Sequence, residues 1–162
     1  MFYDLGMSGD DFRRTFVERM GGALTTAGLA RLPSRIFAAL LADPDGRMTA
    51  AEIGSELHIS PASVSGAVRY LDGVGMIRRE REPGTRRDVF VVDDDAWRDT
   101  LLHADRVYAP MIAELDRALA DLPADDPARR RIAISREFLG FVTQEMGAMS
   151  QRWQERVAEL DL

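Results

Sequence analysis

Residues 49–92 decide the fold, and they read TAAEIGSELHISPASVSGAVRYLDGVGMIRREREPGTRRDVFVV. The stretch opens on a capping box, in which the Thr49 hydroxyl and the Glu52 carboxylate satisfy free backbone N–H groups at a helix start. Ile53 and Leu57, four residues apart, predict one inward face of that helix. Ser60-Pro61 then supplies a cap and a residue of fixed φ, so a second helix begins almost at once.

The second helix has two contrasting faces. Successive residues lie about 100° apart on a helix, so Val64, Ala67, Val68 and Leu71 share one side and are predicted to pack inward. Gly66 lies on the other side. A glycine in a helix interior lowers helix stability by roughly 1 kcal/mol relative to alanine. Either something approaches the helix closely there, or the glycine is a neutral substitution, and the sequence leaves both readings open.

A hairpin with an arginine-rich tip follows the second helix. Gly75 is a helix stop, Pro83-Gly84 marks a turn, and the β-branched run Val89–Val92 is typical of a strand. Arg86 and Arg87 lie where a hairpin tip would meet a phosphate backbone or a narrow minor groove. The order helix, turn, helix, hairpin predicts a winged helix-turn-helix, which places its second helix in the major groove of DNA.

The charge distribution supports a DNA contact in this stretch. The chain carries a formal net charge of −6, yet residues 60–92 hold six arginines against four acidic residues. Arg35, at an upstream helix start, either touches a phosphate or is simply solvated. The candidate DNA-binding residues are Arg35, Thr49, Ser60, Ala62, Ser63, Ser65, Gly66, Arg69, Tyr70, Arg81, Arg86 and Arg87.

At these residues the chain resembles the DNA-binding lobe of the MarR family of bacterial transcription regulators. The resemblance rests on Ser60-Pro61-Ala62-Ser63-Val64-Ser65, Arg69-Tyr70-Leu71 and Gly75-Met76-Ile77-Arg78-Arg79. The family usually has Asp-x-Arg at the wing tip, whereas this chain has Gly84-Thr85-Arg86-Arg87-Asp88. That variant is similar to the GbsR-like subgroup, typified by the glycine-betaine synthesis regulator. The resemblance implies a dimeric protein that is mostly repressive and often released from DNA by small ligands.

The predicted fold class is mainly α with a small antiparallel β-hairpin wing. Residues 10–92 form an N-terminal helix and the winged helix-turn-helix lobe, and residues 93–162 form a helical dimerisation stem. An aromatic and methionine stripe on the N-terminal helix packs either on its own lobe or on a partner subunit. The last helix could reach about 50 Å. Its seam of Leu139, Val142, Met146, Met149, Trp153 and Leu160 has coiled-coil-like spacing and predicts a homodimer.

Several classes of chemistry are excluded by residue content. The 162-residue chain has no cysteine, which excludes disulfides and thiolate metal sites. Its two histidines, His58 and His103, lack metal-ligand spacing, and its serines lack an activating base. We therefore predict no catalytic residue, no metal and no cofactor. No apolar run or signal segment indicates a membrane, so the expected location is the cytoplasm.

Two functions remain, and a ligand site accompanies the first. The cationic face of the second helix favours a sequence-specific DNA-binding regulator. The negative net charge of the whole chain favours a winged-helix module that binds protein without sequence-specific DNA binding. A small apolar or cationic effector would contact soft and aromatic side chains, and an ammonium compound would use them as a cation–π cage. Ordinary core and dimer packing is the alternative for each residue. The candidates are Phe16, Met20, Tyr108, Met111, Phe141, Met146 and Trp153.

Overall fold

The computed structural model describes residues 9–98 and 104–160 of the chain. The fold is mainly helical with one small antiparallel sheet, which confirms the predicted fold class. The chain divides into two compact units, of which the first ends at Ala96 and the second begins at Trp97. The first unit carries the helix-turn-helix and the hairpin, and the second carries two long helices.

Two helices, α1 (Gly9–Thr26) and α2 (Arg31–Ala42), pack against each other at the start of the first unit. The buried positions of α1 are Val17, Gly21 and Leu24. A Cβ atom built on Gly21 would lie 3.1 Å from Cγ of Arg35, so this glycine allows the two helices to approach closely.

The aromatic stripe of α1 lies largely outside this contact. Phe12 is 60% exposed, Ala23 is exposed, and Phe16 and Met20 are half-buried. The rings of Phe12 and Phe16 stack on each other with centroids 6.2 Å apart. Packing within the lobe therefore accounts for only part of the stripe, and most of the apolar surface stays available to a partner.

The core of the first unit is built around α2. Ile36, Phe37 and Leu40 are fully buried because α1 and two later helices cover this helix. Leu41 is half-buried at the helix end. Ser34 is fully buried as well, and its hydroxyl donates to the Ala30 carbonyl at 2.9 Å, so no polar group is left unsatisfied there.

The helix-turn-helix forms as its local signals predict. Strand β1 (Arg47–Thr49) leads directly into α3 (Ala50–Leu57), and α4 (Pro61–Gly73) follows. The Glu52 N–H donates to the Thr49 hydroxyl at 3.3 Å, and the Thr49 N–H donates to the Glu52 carboxylate at 2.6 Å, completing the capping box. The residues that the sequence placed inward are all buried, namely Ile53, Leu57, Val64, Ala67, Val68 and Leu71.

The wing is a hairpin of β2 (Arg78–Arg81) and β3 (Asp88–Val91). Strand β1 pairs with β3, so the sheet has the order β1-β3-β2 with all neighbours antiparallel. Gly84 turns the chain at the tip with a φ of 79°, a conformation that favours glycine. The Thr85 hydroxyl accepts from the Arg87 N–H at 3.1 Å and donates to the Glu82 carboxylate at 3.0 Å, which shapes the tip.

A bidentate ion pair links the two ends of the hairpin. The Arg78 guanidinium donates to both carboxylate oxygens of Asp93 at 2.6 Å and also binds Glu80. The hydrogen bond to Asp93, followed by that to Glu80, raises the pKa of Arg78, and the hydrogen bond from Arg78 lowers the pKa of Asp93. The pair therefore closes the base of the wing just before the first unit ends.

Replacing Asp93 with asparagine is expected to flatten the acid dependence of stability. Because the folded-state pKa of Asp93 lies below its unfolded value, the pair stabilises the fold above about pH 4 and is lost as pH falls through the folded pKa. Exposure and screening limit the effect to about 1 kcal/mol or less. Thermal unfolding of both proteins between pH 7 and pH 3 measures it, and parallel curves would contradict the expectation.

The second unit contains α5 (Ala104–Asp121) and α6 (Arg129–Glu159), which pack as an antiparallel pair. Arg129 donates to the carbonyls of Leu119 and Leu122 at 2.8 and 3.0 Å, and Arg136 donates to Asp116 at 2.8 Å. The long last helix is present over 31 residues. No helix among the described residues combines the length and the apolar character needed to span a membrane.

The outer surface of this helical pair is unusually apolar. None of the α6 residues is buried, and the predicted seam residues Leu139, Val142 and Met146 are only half-buried. Exposed large apolar residues of the described part of the second unit are Trp97, Val107, Met111, Ile134, Phe138, Phe141, Met149, Trp153, Val157 and Leu160. Phe138 and Ile134 are exposed on the same helix but are not among the predicted seam residues, and the seam itself remains a prediction.

Candidate DNA interface

The outward face of α4 is bare, and it carries the residue types that the sequence indicated. Ala62, Ser65, Gly66 and Arg69 are exposed, and Tyr70 is 43% exposed. Buried residues on the opposite side hold the helix against the core, so its exposed face is fixed in direction. Arg69 makes no ion pair with any other described residue, so its guanidinium remains available to a partner outside the lobe.

The wing carries two kinds of arginine that sequence alone does not separate. Arg81, Arg86 and Arg87 are exposed and form no ion pair within residues 9–98 or 104–160. Arg79 binds Asp88 across the hairpin, and this hydrogen bond raises the pKa of Arg79 and lowers that of Asp88. The surplus positive charge is thus concentrated on α4 and the wing tip, where a phosphate backbone would be attracted.

A cleft of about 530 Å³ separates α4 from the wing. Ala50, Ala51, Val68 and Phe90 give it an apolar lining, and its charged lining includes Arg69 and Arg87. The predicted residues Thr49, Ser65, Arg69 and Arg87 all line it, so the fold brings them together. Asp72, Arg79 and Asp88 line it too. Sequence reasoning missed Arg79 and Asp88 because their juxtaposition depends on strand register, whereas Asp72 lies on α4, one turn after Arg69.

Three predicted contact residues have partners inside the lobe. The Ser60 hydroxyl accepts from the Ser63 N–H at 3.2 Å and lies 2.8 Å from the Ser63 hydroxyl, so it caps α4. The Thr49 hydroxyl caps α3. These caps keep both helix ends in place, and the hydroxyls retain acceptor capacity for a second partner.

Arg35 is placed away from this surface. Its Nε and Nη2 atoms donate to Glu18 at 3.1 and 2.7 Å, and its side chain packs beside Gly21 in the contact between α1 and α2. It lines none of the cleft between α4 and the wing. An arginine held this way stabilises the helix pair, so we leave Arg35 out of the proposed DNA contact.

The candidate effector residues are divided between the two units. Phe16 and Met20 line a shallow groove along α1. In the second unit, Tyr108 and Met146 are half-buried, while the remaining three are exposed: Met111, Phe141 and Trp153. Each unit therefore holds only part of the predicted set, and the effector site remains a prediction.

Histidine and acidic residues form no metal-binding group within the described parts of the chain. His58 ends α3 in the left-handed conformation with a φ of 53° and is exposed. His103 lies outside the described residues. The exposed arginines of α4 and the wing outnumber the acidic side chains beside them, and this positive surplus suits an anionic polymer.

Comparison with known proteins identifies the family. The chain is 30% identical over 150 residues to the HTH-type transcriptional regulator MmpR5 of Mycobacterium tuberculosis, covering 90% of this chain and 89% of that protein. It belongs to the MarR family of transcriptional regulators. The model described as "MarR family" matches residues 27–88, and that described as "MmpR5-like MarR family transcriptional regulator" matches residues 95–156.

Two further matches agree with this MarR-family assignment. A crystal structure described as that of a transcriptional regulator superimposes with a TM-score of 0.75 at 27% identity, covering 89% of this chain and 99% of that one. The HTH-type regulator YcgE of Bacillus subtilis is 34% identical over 64 residues, or 40% of this chain and 42% of that protein. The MarR-family prediction is confirmed, and the finer GbsR-like assignment remains a prediction.

Proposed function

We propose that this MarR-family protein is a homodimeric repressor that inserts α4 into the major groove of an inverted-repeat operator. The observation that carries the proposal is the distribution of arginines in the first unit. Arg78 and Arg79 are neutralised by neighbouring carboxylates, whereas Arg69, Arg81, Arg86 and Arg87 are exposed on α4 and the wing without ion pairs among the described residues. Such a pattern leaves positive charge where a duplex would dock.

The dimer is supported by the apolar surface of the second unit. Phe138 and Phe141 are 62% and 60% exposed, and exposed aromatic side chains at this density are typical of an interface. Two-fold symmetry would present two copies of α4 to successive major grooves about 34 Å apart. Such a protein would act where the chromosome lies, so a cytoplasmic location is part of the same proposal.

Selection of bound sequences from a random DNA pool tests the proposal directly. We expect recovered duplexes to contain an imperfect inverted repeat with half-sites one helical turn apart. A gel shift on random duplex over a salt series distinguishes the protein-binding alternative. If the chain retains no duplex at low salt, the regulator proposal fails and the protein-binding alternative is favoured.

Arg69 and Arg86 are expected to give different kinds of defect. Arg69→Ala should weaken operator binding by roughly 1–3 kcal/mol and change base preference. Arg86→Ala should weaken binding to all DNA sequences equally and make the affinity less dependent on salt concentration. Fluorescence anisotropy on operator and random duplexes at several salt concentrations separates the two. Arg156→Ala removes an exposed arginine of the second unit and serves as control. Unchanged affinity in both test variants would rule out this docking mode.

Release by a small ligand is the remaining part of the proposal. The resemblance to the betaine regulator points to a quaternary ammonium compound, which aromatic rings such as Phe141 and Trp153 attract through their π faces. Calorimetry with choline and with glycine betaine tests this. Absence of heat with both compounds would remove the ammonium effector and leave the DNA-binding proposal intact.

A further inference from the structure

Gly66 is a residue that the fold itself does not require. A Cβ atom built there meets no heavy atom within 4 Å, and the residue is not among those of positive φ. Gly21 and Gly54 differ, because a Cβ at either would crowd Arg35 or the Ile59 carbonyl at 3.1 or 3.2 Å. Because alanine stabilises a helix relative to glycine, the free protein gains nothing from Gly66.

The surroundings of Gly66 form a dip in the exposed face of α4. Residues three and four positions away are its neighbours on a helix surface, so Ala62 and Ser63 border it on one side and Arg69 and Tyr70 on the other. Helical side chains lean toward the N-terminus, which directs Arg69 and Tyr70 back toward the bare backbone. Mid-helix N–H and C=O groups are already bonded to each other, so the floor of the dip offers no free donor or acceptor.

We propose that Gly66 receives the C5-methyl group of one thymine in each operator half-site. The inference rests on the proposed function, since it needs α4 in the major groove. Among the groups on that groove edge, the thymine methyl is the apolar one, whereas the others donate or accept hydrogen bonds. A polar base edge would be left unsatisfied against this floor, while a methyl group fills the space that an alanine Cβ would take.

The test combines a protein variant with a modified base. The operator selected by the wild-type protein is synthesised with each thymine pair replaced in turn by deoxyuridine, which lacks only the methyl group. Gly66→Ala should weaken binding to the unmodified operator about tenfold. At one thymine position in each half-site, deoxyuridine should restore most of that loss.

Stability provides the second readout for Gly66. Without DNA, Gly66→Ala should raise the unfolding temperature by about 2–4 °C, which shows that lost affinity does not come from misfolding. Gly73→Ala is the matched control, because a Cβ there also meets nothing within 4 Å and the residue lies at the far end of α4. This control should retain full operator affinity.

The possible failures are distinguishable. If Gly66→Ala binds the operator as tightly as the wild type, or if no deoxyuridine position restores its binding, the thymine contact is overturned while the regulator proposal stands. If the wild-type protein retains no duplex in the first place, the regulator proposal falls and the thymine contact falls with it.

Discussion

Replacing both Phe138 and Phe141 with glutamate is expected to convert the proposed dimer into a monomer and to lower affinity for the proposed two-half-site operator by about 100-fold or more. The two rings lie on one side of α6 and are more than half exposed. Burying a carboxylate in their place within an apolar interface would be strongly unfavourable. Sedimentation measures the mass, and gel shifts measure the affinity.

The control for this variant adds the same charge elsewhere on α6. Gln144 and Gln151 are exposed polar residues of the same helix, and replacing both with glutamate should leave mass and affinity unchanged. A duplex with a single half-site gives an internal check, since the monomer should bind it as weakly as the wild type does. A double phenylalanine variant that stays dimeric would place the interface on another surface.

Phe37→Ala is expected to destabilise the first unit by about 3–5 kcal/mol, which is a large share of the stability of most domains. Phe37 has 0% relative exposure on α2, beneath α1 and beside α3 and α4. Its removal leaves a cavity that helices on several sides cannot all close. Urea unfolding followed by circular dichroism measures the loss.

Tyr70→Ala is the matched control for Phe37, because it removes an aromatic ring of the same unit from an exposed position. Its effect on stability without DNA should stay near 0.5 kcal/mol, as for most surface substitutions. A similar loss in both variants would mean that the core does not centre on α2.

The helix-turn-helix was predictable because its determinants are local. The capping box joins Thr49 to Glu52, and the Ser60 cap reaches Ser63, so these contacts span three residues of sequence. The inward face of α4 was predictable for a related reason, since helical periodicity alone separates Val64 and Leu71 from the exposed positions.

The missed features depend on contacts between distant parts of the chain. On α1, apolar residues occur on more than one face, and the position of α2 selects Val17 and Leu24 over the more prominent aromatic stripe. The pairing of Arg78 with Asp93 and of Arg79 with Asp88 requires knowledge of strand register and of where β3 ends. Helical spacing alone also did not reveal that Phe138 would remain exposed.

Thr49 has a consequence for how the operator must adapt. It is the last residue of β1, where it pairs with Val89 of the wing, and it is also the cap of α3. Any tilt of the hairpin would therefore pull on the helix that precedes α4, so we expect the wing and the proposed recognition helix to move together. Such a protein would hold the DNA contacts of the wing and of α4 at a constant distance from each other. Adjustment then falls to the DNA, and flexible pyrimidine–purine steps between the contacts would favour binding without being touched.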